Sequence, residues 1–157
     1  MVKPALLLFD GICALCNKSV QFILRHEKDT SIKFAALESD AVKILLNGGD
    51  FPNNVNSVIL LTHDQHFVRS DVLVVVARYL KFPWSLLTAI SFIPKPIRDG
   101  IYDRIARIRY RVWGKYDSCP LPDDNQLDRF ILTREQAQMI GKQIRANQER
   151  PAQPSSP

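Results

Sequence analysis

The sequence predicts a single α/β domain, and three observations predict it. A five-residue apolar run, Ala5–Phe9, is broken by Asp10-Gly11 and gives way to a helical pattern with apolar positions at Cys16, Val20, Ile23 and Leu24. A second, alternating run, Ile32–Ala36, follows so soon that the two strands read as parallel neighbours joined by that helix, a βαβ unit. Further on, Ser57–Thr62 and His66–Arg69 flank a short polar loop, as the arms of a hairpin do. The expected architecture is therefore a small mixed β-sheet with flanking helices, followed by extra C-terminal helices. Residues 1–147 form that one domain, and residues 148–157 have the Pro- and Ser-rich composition of a disordered tail.

Each element has a local reason. The first helix runs to about His26, and a second, short one follows Ser39, with Ala41, Val42, Leu45 and Leu46 as its apolar positions and Asn47-Gly48-Gly49 as its stop. Ser70-Asp71 is placed to cap a helix that reaches about Leu80, and Pro83 ends it. Trp84–Phe92 reads as a short apolar helix closed by Ile93-Pro94-Lys95-Pro96. From Ile97 to Trp113 the isoleucines and Val112 recur at helical spacing, so this stretch is an amphipathic helix. Thr133-x-x-Gln136 has the form of a capping box and starts a polar helix to about Asn147.

Composition narrows the class. With 157 residues, 46% hydrophobic and 24% charged, the chain can bury a real core and has the make-up of an ordinary globular protein. Three cysteines are too few for a secreted disulfide framework, the apolar run at the N-terminus is too short for a signal peptide, and no stretch is long enough to span a bilayer. A reducing, cytoplasmic setting is the default expectation. The net charge of +5 admits anionic partners without requiring them, and no nucleic acid is expected.

The chemistry centres on Cys13-x-x-Cys16. A buried strand that feeds two thiols at a helix start suits thiol–disulfide exchange. Cys13 sits at the helix mouth, off the apolar arc, where unpaired N–H groups and the helix dipole favour a thiolate; Cys16 lies on the edge of the buried face. One turn separates the sulfurs, so they can close a disulfide. Gly11 permits the tight entry into the helix. Asp10 either opposes ionisation of a nearby thiol or accepts the proton that Cys16 loses when it attacks a mixed disulfide. The same spacing also makes half of a zinc site, with Cys13, Cys16, Cys119 and one histidine as the ligand set. A third reading is a non-catalytic interaction domain that uses its basic helix.

Other candidates are weaker. Cys119 lies in a loop stiffened by Pro120 and Pro122 and is either a third redox thiol, a metal ligand or a spectator. His63 and His66 fall in a hairpin turn, and His26 is placed to meet the last carbonyls of the first helix. Arg104, Arg107 and Arg111 form a stripe on one flank of the 97–113 helix, with Arg98 and Arg109 on the other. The expected reading is a solvated basic face whose long stems cover apolar surface, with a membrane-surface or nucleic-acid patch as the alternative.

These residues resemble a known family. Asp10-Gly11-x-Cys13-x-x-Cys16 is similar to the signature of the DCC thiol-disulfide oxidoreductase family (DUF393). Tyr102-Asp103-x-Ile105-Ala106, Arg109-Tyr110, Gly114-Lys115-x-Asp117-x-Cys119-x-x-Pro122 and Arg129-Phe130 resemble its downstream pattern, so the likeness covers about residues 5 to 130. It implies a thioredoxin-like fold. The expected activity is disulfide exchange with a thiol or disulfide of a protein or small molecule, using no cofactor, with Cys13 attacking and Cys16 resolving. One departure is visible. Thioredoxin-like proteins place a cis-proline just before the strand that faces the cysteines, whereas here Asn53-Asn54-Val55-Asn56 precedes it and the nearest proline is Pro52.

Overall fold

A computed structural model describes residues 5–47, 58–62, 65–118, 124–133, 135–136, 138–140 and 142. Cys119, His63, the Asn53–Asn56 stretch and the 148–157 tail lie outside the described residues. Strands β1 (Ala5–Phe9), β2 (Ile32–Ala36), β3 (Ile59–Thr62) and β4 (His66–Val68) form one sheet in the order β2-β1-β3-β4. β1 runs parallel to β2, with Leu7 opposite Phe34, and antiparallel to β3, with Leu7 opposite Leu60. β3 and β4 close the antiparallel hairpin. This mixed sheet, a βαβ unit followed by a hairpin and a helix, is thioredoxin-like.

All five residues of β1 are buried, because both faces of the sheet are covered. Side chains alternate along a strand, so Ala5, Leu7 and Phe9 face one core and Leu6 and Leu8 the other. The first core holds Cys16, Val20 and Ile23 of α1 (Ala14–His26) and Val72 and Val76 of α3 (Ser70–Tyr79). The second holds Ala41 and Val42 of α2 (Asp40–Asn47) with Ile131. Arg129 clamps the chain end to the sheet, pairing with buried Glu27 at 2.6 Å, while Phe130 stacks on Phe34 at 5.5 Å between ring centres.

Most predicted caps form. Ser39 Oγ accepts the Val42 N–H, and Thr133 and Gln136 exchange the two bonds of a capping box. His26 Nδ1 lies 2.8 Å from the Phe22 carbonyl oxygen. Ser70 is different: it is the first residue of α3 instead of its cap, and its hydroxyl bonds to Asp99. Trp84–Phe92 is a 3-10 helix with no buried residue. Helix α4 (Lys95–Trp113) starts with a proline in its first turn, where the missing N–H costs nothing.

The basic stripe of α4, Arg104, Arg107 and Arg111, is exposed as expected, but its apolar stripe is not hidden in return. Its isoleucines are exposed, and its one buried residue is Arg109. Polar tethers fix the inward face: Arg98 to Asp71 at 3.2 Å, Asp99 to Ser70, the Val58 N–H to Tyr102 Oη at 3.2 Å, Asp103 to Arg69 at 3.7 Å, and Arg109 to Asp10 at 2.8 Å. The helix is thus moored by hydrogen bonds and ion pairs across an apolar cleft of about 500 Å³, whose walls include Val20, Val72, Ile90 and Ile105.

Candidate active site

The turn between β1 and α1 is built by Asp10. Its Oδ1 accepts the N–H groups of Ile12 and Cys13, both at 3.1 Å, so the chain turns tightly into the helix. Buried Gly11 sits inside this turn, donating its N–H to Glu38 Oε2 at 3.0 Å and receiving the Asn17 amide on its carbonyl at 2.6 Å. Cys13 is the N-cap of α1, and its Sγ accepts the Cys16 N–H at 3.4 Å. The sulfur therefore takes the place of the hydroxyl or carboxylate oxygen that ordinarily caps a helix.

Both thiols are more enclosed than the sequence suggests. Cys13, expected off the buried face, is 0% exposed, and Cys16 is 7% exposed. The cover over Cys13 comes from far along the chain. Gly114, in the left-handed region at φ 86, ends α4 and turns the chain back, so that Lys115 pairs with Cys13 as an isolated bridge. Tyr116 donates its N–H to the Ile12 carbonyl at 2.8 Å, and the Ala14 N–H reaches the Gly114 carbonyl at 3.4 Å. Cys16 instead lines the apolar cleft beneath α4.

Arg109 joins the carboxylate to the thiol pair. Its Nη2 donates to Asp10 Oδ2 at 2.8 Å and its Nη1 lies 3.8 Å from Cys16 Sγ. Tyr110 also donates its hydroxyl to Asp10 Oδ2. Asp10 thus accepts four donors, about as many as the two oxygens of a carboxylate can hold. Burial opposes the charge on Arg109, but Cys16, Tyr110 and Asp10 outweigh it and raise the guanidinium further. Burial pushes the Cys16 thiol up to about 12, aided by its bond to Cys13, so Cys16 is a neutral thiol at physiological pH. Tyr110 is likewise pushed up to about 12, by burial and by its bond to Asp10. Glu38 rises above the usual carboxylate range through burial, with Asp10 adding to the effect.

The structure brings Asp10, Gly11, Cys13 and Cys16 together in one turn. Among the described residues no three His, Cys, Asp or Glu side chains converge as a metal site, and Cys119 and His63 of the zinc ligand set fall outside them. Arg109, Tyr110 and Glu38 are the residues that motif reasoning did not assign to the site. The signal for two of them was present, since Arg109-Tyr110 belongs to the downstream pattern and Arg109 falls outside the basic stripe of its helix.

The family model for DCC1-like thiol-disulfide oxidoreductases matches residues 7–115, a span that contains the cysteine pair, Arg109-Tyr110 and the covering Lys115. A chloroplastic DCC family protein of Arabidopsis thaliana is 37% identical over 121 residues, covering 76% of this chain and 70% of its own. The uncharacterized protein YuxK of Bacillus subtilis is 37% identical over 131 residues, covering 83% of this chain and 96% of its own. No solved structure matches the chain significantly.

Proposed function

Because the chain belongs to the DCC1-like thiol-disulfide oxidoreductase family, we propose that it exchanges disulfides enzymatically with a protein or small-molecule partner through Cys13 and Cys16. The observation that carries this reading is the pair itself: one sulfur caps the helix and the other lies one turn on, against a guanidinium. Cys13 thiolate attacks a partner disulfide, forming a mixed disulfide and releasing the partner's first sulfur as thiolate. Cys16, losing its proton, then attacks Cys13 Sγ and releases the second partner thiolate. The partner gains two electrons and is reduced, and the protein, having supplied them, is left with a Cys13–Cys16 disulfide that a dithiol or two further thiols must reduce. The reverse sequence oxidises a dithiol.

Arg109 supports the resolving step by stabilising the anion that develops on Cys16, and Asp10 holds Arg109 in place. For Asp10 to take the Cys16 proton as well, one of its four donors has to let go. A partner reaches Cys13 once residues 114–116 move off it. Cys119 enters only as a third thiol. The exchange belongs to a reducing compartment, the cytoplasm being the default that the cysteine usage gives.

The test is trapping. Cys16→Ser should accumulate adducts through Cys13 on non-reducing gels, lost with reductant, while Cys13→Ser gives few and the double variant none. A Cys16→Ser protein that traps nothing, with a wild-type pair that fails to equilibrate with a glutathione buffer, would overturn the assignment. The cover is tested separately by Tyr116→Pro, which lacks the N–H that holds the strap to Ile12. Losing one hydrogen bond of about 1 kcal/mol should speed alkylation of Cys13 about fivefold, and an unchanged rate would show that the strap does not gate the thiol.

A further inference from the structure

The flank of α4 that borders the cleft and the 3-10 helix before it carry apolar surface that the fold leaves uncovered. At about 100° per residue, Ile97, Ile101, Ile105, Ile108 and Val112 fall within about 80° of one another. All five are exposed, Ile101 by 54%. The 3-10 helix adds Leu86, Leu87 and Phe92, the last 90% exposed. The two segments border one opening, because Ile90 and Ile93 of the first stretch and Ile101 and Ile105 of the second wall the same cleft that leads to Cys16. An apolar face of this extent on a folded domain marks an interaction site.

Charge selects the partner. Arg104, Arg107 and Arg111 run along the border of the isoleucine stripe and are exposed, and none has an ion-pair partner among the described residues. The acidic residues of α4 are turned away, Asp99 to Ser70 and Asp103 to Arg69. Whatever covers the isoleucines therefore presents negative charge along one edge and an apolar interior beside it. A nucleic acid would satisfy the arginines and leave the isoleucines wet. A second copy packed on the isoleucines would bring like charges towards one another. An anionic bilayer surface meets both demands.

We propose that residues 84–113 dock this protein on an anionic phospholipid surface. The isoleucine stripe enters the boundary between headgroups and acyl chains, Arg104, Arg107 and Arg111 meet the lipid phosphates, and the mouth of the cleft faces the lipid. The chain lies on the bilayer instead of crossing it, and no described helix is long and apolar enough to cross. This inference stands apart from the oxidoreductase reading.

The experiment is sedimentation of the full chain with vesicles of phosphatidylcholine, alone or mixed with phosphatidylglycerol. The protein should pellet with the mixed vesicles, less so as salt rises, and stay in solution with phosphatidylcholine alone. The triple variant Arg104→Gln, Arg107→Gln, Arg111→Gln should bind on the order of a hundredfold more weakly, since each basic residue near an anionic surface contributes about fivefold. Ile97→Ser with Ile108→Ser should also lose binding while keeping the wild-type circular dichroism. Absence of vesicle binding, or binding that survives both variants, overturns the proposal. So does a dimer that the serine variant dissociates, or arginine-dependent binding of single-stranded RNA to which the isoleucines are indifferent.

Discussion

Helix α1 buries Ala14, Cys16, Val20 and Ile23, its apolar stripe, against the sheet, whereas α4 leaves its isoleucines exposed along the cleft and buries Arg109. Both helices are amphipathic by periodicity, and they pack by opposite rules. Helix α1 has a sheet beneath it, so burying its apolar stripe removes hydrocarbon from water at about 25 cal/mol per Å². Helix α4 meets a rim of polar groups, Asp71, Ser70, Arg69 and Asp10, that would be left unpaired if its isoleucines faced inward. Leaving a buried charge such as Asp10 without a partner costs more than exposing a few isoleucines. The difference teaches that an amphipathic pattern announces two faces, and the neighbour decides which is hidden.

The comparison is broken most sharply at Arg109. Arg109→Met leaves Asp10 buried without its countercharge and should destabilise the reduced protein by about 3–5 kcal/mol in urea unfolding. Arg104→Met, on the exposed side of the same helix, should stay within about 0.5 kcal/mol of wild type. If the two variants unfold at the same urea concentration, the Asp10–Arg109 pair does not orient α4.

A smaller contrast sets the two apolar stripes against each other. Ile23→Ala on α1, 7% exposed, removes a side chain from the core beside the cleft and should cost about 2–4 kcal/mol. Ile108→Ala on α4, 38% exposed, should cost well under about 1 kcal/mol. Comparable losses would mean that the α4 stripe is covered within the protein itself.

The smallest effect arises where the two helices meet, at Cys16. Burial holds its thiol neutral and raises it from the usual 9.0 to about 12. Its contribution to stability is therefore complete below pH 9.0 and is lost as pH rises towards 12, because the unfolded chain gives up this proton first. Reduced protein should lose about 1 kcal/mol per pH unit within that window. Tyr110, also pushed up to about 12, adds to the slope in every variant, so the readout is the difference between wild type and Cys16→Ser. Equal slopes would show that Cys16 is not held neutral by the fold.

By itself the sequence determined every feature that local geometry controls. The strands Ala5–Phe9 and Ile32–Ala36, the helix between them, the hairpin and the cysteine pair at a helix start follow from periodicities and turn residues within a few positions of one another. Asp10 and Gly11 were legible as part of the site for the same reason. Tertiary structure alone decided that Cys13 is covered, because its cover is the stretch from Gly114 to Tyr116, about a hundred residues downstream. It alone drew Arg109 to Asp10, a pairing across 99 positions, and so buried one arginine of α4 while its isoleucines stay exposed beside the cleft. Periodicity fixes which side chains share a face, since the backbone sets their spacing. Which face is buried depends on charges and hydrogen-bond partners that only the folded chain brings within reach.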